Sequence, residues 1–195
     1  MLPPKKAVRA FLLRFILILA VYSIPWRPIG TAYATLAAGF GNLVVEGAFS
    51  SKARLHFGPV GAADPDDARA AYNVELRAES VATRTVVSLP IDLRTLTYIP
   101  TAVFIALSVA APIWERSKGV KVLLFGLAAL HLFLVFSIAA PLVLFFANPA
   151  PMHLVELGPI THWVLDVLYR ALVAPPGMAF VVPGAVWLLM LWVTR

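Results

Sequence analysis

Four side chains able to bind a divalent metal fall close together late in the chain: His153, Glu156, His162 and Asp166. Imidazole nitrogens and carboxylate oxygens are zinc ligands, and a metal held by such a set makes its bound water acidic enough for hydrolysis at neutral pH. Their spacing, H-x2-E-x5-H-x3-D, matches no metal-binding pattern, and Gly158-Pro159 interrupts it. The plainer reading puts His162, Asp166 and Arg170 at i, i+4 and i+8 on a solvated helix face, paired with one another.

His131 is a candidate of another kind, because it lies inside the apolar run 122–146. An ionisable group at membrane depth is costly, which makes it a functional candidate; the plainer reading is a neutral imidazole hydrogen-bonded to a neighbouring helix. No carboxylate shares that run, which argues against a proton relay. Asp64, Asp66 and Asp67 form D-P-D-D, which lacks the register and glycine of a calcium loop and reads as a turn, with an Asp capping a short helix at 68–71. Ser88 and Ser137 stand in no nucleophile elbow, and Gly39-Phe40-Gly41 is too short to cradle a phosphate. Cysteine is absent, which excludes disulfides, thiolate metal sites and cysteine nucleophiles. The sequence assigns no catalytic residue and no cofactor.

The elements that must position these groups are mostly apolar. Hydrophobic residues make up 61% of the 195 residues and charged ones only 13%, against about 25% charged in soluble domains. The mean hydropathy is +0.85. The organising stretch is 98–146, two uncharged runs, 98–114 and 122–146, joined by a basic turn containing Glu115, Arg116, Lys118 and Lys121. About 20 apolar residues cross a hydrocarbon core, so both runs read as transmembrane helices. Residues 11–26, interrupted only by Arg14, read as a first span, and 178–194 as a last. A rival reading of the N-terminus is a cleaved signal peptide ending at Ala32-Tyr33-Ala34, although Pro25-Trp26-Arg27-Pro28 sets that site far from the apolar core.

The net charge of +6 resolves into topology once it is sorted by segment. Lys5, Lys6, Arg9 and Arg14, then Arg116, Lys118 and Lys121, then Arg195 cluster beside the spans with Glu115 as their sole acidic companion, and by the positive-inside tendency they face the cytoplasm. This leaves no basic patch to bind nucleic acid. Between the first two spans, 31–49 is Ala- and Gly-rich with apolar residues at helical spacing, and reads as a helix on the membrane surface or beneath the next domain. Residues 52–94 change to mixed charge with period-2 alternation in 72–79 and 85–91, and more weakly in 54–60. These are half-buried strands of a small aqueous domain, marginal alone and in need of support. Residues 160–173 describe an amphipathic helix in the interface, closed by Pro175 and Pro176.

The stretch Ser88-Leu89-Pro90-Ile91-Asp92-Leu93-Arg94-Thr95, then Tyr98-Ile99-Pro100 and Ala106-Leu107-Ser108-Val109-Ala110-Ala111-Pro112, resembles bacterial membrane proteins associated with exosortase systems. The resemblance covers roughly the middle third of the chain. Exosortases themselves are multi-span envelope transpeptidases that use a cysteine with arginine and histidine or asparagine partners. With no cysteine here, none of those catalytic residues carries over. The resemblance implies an accessory role near protein sorting at the bacterial envelope.

The expectation is therefore an α-helical integral membrane protein of the bacterial inner membrane, with four transmembrane helices and both termini cytoplasmic. Its parts are a basic segment and first span at 1–26, an extracytoplasmic region with the small β-rich domain at 27–97, the hairpin at 98–147, a second extracytoplasmic segment at 148–177 and the last span at 178–195. Its expected partners are the lipid bilayer and another membrane or periplasmic protein. Two alternatives stand beside the accessory role: a metal-dependent hydrolase built on His153, Glu156, His162 and Asp166, and a transporter subunit built around His131.

Overall fold

The computed structural model describes residues 5–24, 27–45, 53–60, 71, 73–81, 84–111, 118–148, 153–175 and 177–193. Within them lie α1 (Lys5–Ser23), α2 (Arg27–Val45), β1 (Ala53–Pro59), β2 (Asn73–Ser80), β3 (Val86–Asp92), α3 (Ile99–Ala110), α4 (Lys118–Ala147), α5 (Pro159–Leu172) and α6 (Met178–Val193). A π-helical turn, Arg94–Tyr98, leads into α3. The aspartates at 64, 66 and 67, the short helix expected at 68–71 except Ala71, and the turn residues 114–117 lie outside the described residues.

The expected four membrane spans are corrected by this architecture. Among the described residues only α4 is both long and apolar enough to cross a bilayer, over Gly119–Ala147. α1 has the length but holds Lys5, Lys6, Arg9 and Arg14 within it. α3 has 12 residues, about 18 Å at 1.5 Å per residue. α6 has 16, about 24 Å. Both fall short of a core of about 30 Å. Apolar composition does not fix helix length: α3 ends at Ala110, where Ala111 turns to extended backbone, inside the uncharged run 98–114.

The chain divides into two compact units. The first comprises α1, residues 95–111, α4 as far as Ser137, and α6. α3 packs against both α1 and α6. Its stripe of small buried residues, Ala102, Ala106 and Ala110, lets neighbouring backbones approach closely. Phe104, fully buried, meets Leu130 and Leu134 of α4, with Val182, Val186 and Trp187 of α6 around them. Gly126 permits that arrangement, since a Cβ there would collide with the Phe104 ring. α1 contributes one stripe, Phe11, Phe15, Ile18 and Leu19, at i, i+4, i+7 and i+8, all half-buried. Phe11 stacks on Phe15 at 6.3 Å and on Trp187 at 6.1 Å between ring centroids.

The second unit comprises α2, the sheet, residues 138–147 of α4, Asn148, the segment 153–158 and α5 to Ala171. The sheet is antiparallel in the order β1-β2-β3. Alternation puts Ala53, Phe57, Val74, Leu76, Ala78 and Ile91 in the core, while Arg54, His56, Arg77 and Ser88 stay exposed. α2 packs on β1 and β2, which places this helix against the sheet. The contact is fixed by Asn42. Its Nδ2 donates to the Phe57 carbonyl at 2.8 Å, and its Oδ1 accepts the Phe57 N–H at 2.6 Å. The amide thus imitates a neighbouring strand and seals part of the β1 edge. Gly41 beside it leaves room for the Phe57 ring, whose Cδ2 would be 2.8 Å from a Cβ.

Candidate functional site

The last turn of α4 fixes the segment that carries the first two candidate ligands. The amides of Leu154 and Val155 both donate to the Phe146 carbonyl, at 2.9 and 3.2 Å, and Asn148 Nδ2 donates to the Leu144 carbonyl at 3.2 Å. These bonds satisfy carbonyls that a helix end leaves without partners. Leu154 is buried, and His153 and Glu156 point to the exposed side of the segment. Pro159 then opens α5, a favourable first helical residue because its missing N–H is one the helix would not use.

α5 holds His162 and Asp166. Arg170 Nε sits 2.9 Å from the Asp166 carboxylate, with 75% of the Arg170 side chain exposed and 32% of the aspartate. At that exposure the pair contributes little, typically under about 1 kcal/mol. His162 is exposed. Among the described residues no three histidine, aspartate or glutamate side chains gather as a metal would need. The four metal candidates are therefore not brought together, and Asp166 is engaged by a guanidinium.

The orientation of α5 is inverted relative to a helix of a water-soluble core. Leu165, Asp166 and Tyr169 are its half-buried residues, whereas Ile160, Trp163, Val164 and Val167 are exposed, Ile160 by 79%. The apolar stripe faces outward.

His131 is likewise on the outside of its helix. The buried residues described for α4 in the first unit, Gly119, Val122, Gly126, Leu130, Leu134 and Ser137, recur every three or four positions. His131 falls off that stripe, among the exposed Leu124, Phe125, Leu132 and Val135. Its Nδ1 lies 2.7 Å from the Leu127 carbonyl. Because a carbonyl only accepts, Nδ1 carries the proton of this bond. Ser137 also turns back on its helix, donating to the Leu134 carbonyl at 2.8 Å. Such back-bonding is how hydroxyl groups satisfy themselves in apolar surroundings.

A cavity of about 230 Å³ lies within the first unit, between the start of α3, the middle of α4 and the start of α6. Thr95, Pro100, Phe133, Ser137, Met178 and Val182 are among its walls. No titratable side chain lines it, so it has no acid–base group, and its polar walls are the hydroxyl-bearing Thr95 and Ser137. Its walls suit hydrocarbon.

The polar surface of the molecule's second unit is the outer sheet face. The register sets Arg54 opposite Glu79, His56 opposite Arg77, and Arg77 opposite Ser88. Opposite charges at such cross-strand positions are favourable by a few tenths of a kcal/mol to about 1 kcal/mol. Sequence reasoning found these strands but not the Asn42 clamp. The available signal was an amide in an otherwise Ala- and Gly-rich helix.

Comparison with protein-family models, with curated proteins and with solved structures finds no match in any of the three.

Proposed function

We propose that this chain is a non-catalytic, membrane-anchored accessory protein, held in lipid by α4, that presents its three-stranded unit to a protein partner. The observation that carries the reading is the outer face of α4. Of the apolar window in Gly119–Ala147 only 28% is buried, whereas the core helix of a soluble domain would be mostly covered. Leu132 is 75% exposed and Phe125 64%. Uncovered apolar surface on this scale marks an interaction with lipid or protein. The inverted face of α5, with Trp163 on it, fits a helix lying in the bilayer interface. The polar outer sheet face, by contrast, suits water and a partner.

The finer placement, an accessory to protein sorting in the inner membrane of a bacterium, rests on the resemblance in 88–112 alone. The catalytic alternative has less behind it, since its four ligands stand apart among the described residues and the cavity holds no titratable group. A transporter role for His131 is likewise weaker, because that ring lies on the outside of α4.

Washing membranes that contain the full chain with alkaline carbonate tests the anchor. An integral protein stays in the pellet; release into the supernatant would rule the reading out. Affinity purification of the tagged chain from mild detergent tests the accessory role, for which a stoichiometric companion protein is expected.

A further inference from the structure

The cavity of about 230 Å³ in the first unit has covered walls on one side and open ones on the other. Pro100, Leu130, Leu134 and Ser137 line it and are buried, whereas its other walls Thr95, Leu172, Ala174 and Gly177 are exposed. Two departures from regular helix shape it. The π-helical turn Arg94–Tyr98 brings Thr95 and Leu96 into its wall, and such turns are frequent at functional sites. Gly177 turns with a φ of +92°, a conformation that side chains disfavour, and a Cβ there would meet no atom within 4 Å. Gly177 thus borders the opening without filling it.

The walls limit the guest. An ion finds no partner, since no titratable side chain lines the pocket. Ser137 donates its hydroxyl proton to the Leu134 carbonyl at 2.8 Å, so its capacity to donate is used within its own helix. A smaller apolar cavity, of about 150 Å³, already stays dry and takes up benzene or xenon. The volume is below the roughly 300–1,000 Å³ that drug-sized ligands occupy, which favours a slender guest. Depth points to its source. The lining residues of α4, 130–137, fall in the middle of Gly119–Ala147, the stretch long enough to cross a bilayer. Such a span puts them near the mid-plane, where acyl chains end. Phe180 and Val181, which follow the lining residues Met178 and Ala179 in α6, are exposed and continue the apolar surface outward.

We propose that this pocket holds the end of one acyl chain of a bilayer lipid, with its last methylenes against Phe133 and Leu134 of α4 and Met178 and Val182 of α6. The chain end completes the packing where α3, α4 and α6 leave a gap. The assignment rests on α4 being seated in lipid, since the bilayer supplies the chain.

The test uses the full chain in phosphatidylcholine vesicles that contain a phosphatidylcholine with a diazirine at the end of one acyl chain. After irradiation, adducts are located residue by residue by mass spectrometry. Leu132, 75% exposed, reports ordinary contact with lipid, and Leu134, 3% exposed, is reached only by a chain inside the pocket. Adducts are expected at both. Ala179→Leu fills the pocket from the first turn of α6. Adducts at Leu134 then fall about tenfold, the loss expected when about two methylene groups lose their burial, while those at Leu132 stay constant. Should Ala179→Leu fail to fold, the adduct pattern of the unaltered chain decides the matter. Adducts at Leu132 with none at Leu134 overturn the occupancy of the pocket and leave the membrane anchor standing. Adducts at neither position overturn both. Adducts at Leu134 from a free fatty acid carrying the same group, with none from the phospholipid, overturn a bilayer lipid as the occupant. Adducts at Leu134 that persist undiminished in folded Ala179→Leu arise outside the pocket and overturn it as well.

Discussion

Gly126 and Asn42 are the residues at which single atoms decide the packing. Replacing Gly126 by alanine gains helix propensity of about 1 kcal/mol. It also drives a methyl group into the fully buried Phe104 ring, and overpacking of a tight core costs about 1–3 kcal/mol or more. The collision wins, because the ring has no open side to move into. Gly126→Ala is expected to destabilise the first unit by about 1–2 kcal/mol, read as a lower midpoint in thermal unfolding. Asn42→Ala removes both bonds to Phe57, each worth about 0.5–1.5 kcal/mol, and recovers about half a kcal/mol of helix propensity. The net loss is about 1–2 kcal/mol, with faster hydrogen exchange at the Phe57 amide as its local signature. Unchanged exchange at that amide would show that the clamp does not hold the edge. Neither role was legible in the sequence. Each depends on which residue of a distant element arrives opposite, and periodicity carries no such information.

Elements were more legible than their partners. Alternation in 54–60, 72–79 and 85–91 anticipates β1 at Ala53–Pro59, β2 at Asn73–Ser80 and β3 at Val86–Asp92. The amphipathic pattern of 160–173 likewise anticipates α5 at Pro159–Leu172. What periodicity left open was the direction in which a helix faces. The row His162, Asp166 and Arg170 reads as the water-facing side, yet Asp166 is the half-buried member and the apolar stripe is exposed. If α5 lies in the interface, Trp163 is in contact with acyl chains. With the other four tryptophans replaced by phenylalanine, Trp163 emission in reconstituted vesicles is expected to be quenched by lipids brominated on the chain. Val167→Asp should relieve that quenching, because it places a carboxylate on the same stripe. Equal emission with and without bromine would remove α5 from the interface.

At the scale of the whole molecule, composition identified the apolar character but not the number of helices able to exploit it. Four apolar stretches suggested four spans. Helix ends and the basic residues of α1 leave α4 alone with both the length and the composition among the described residues. The outward-facing side chains of α1 and α6, Leu13 and Leu17 in one, Val181 and Leu188 in the other, still leave the first unit with an apolar exterior. An apolar exterior of this extent on a water-exposed molecule would be an aggregation liability. Under the proposed membrane anchoring, lipid around the first unit would remove that liability and leave the polar sheet face of the second unit to water.

A single cysteine on the outer face of α4 tests this most directly. Leu132 and Val81 are both exposed in the chain by itself, at 75% and 54%. Any difference between cysteines at the two positions therefore reports what surrounds the protein. Leu132→Cys and Val81→Cys are compared in open membrane fragments with a water-soluble maleimide. The predicted result is prompt labelling at 81 and labelling at 132 only after denaturing detergent dissolves the membrane. Equal labelling rates at the two positions in intact fragments would contradict an α4 seated in lipid.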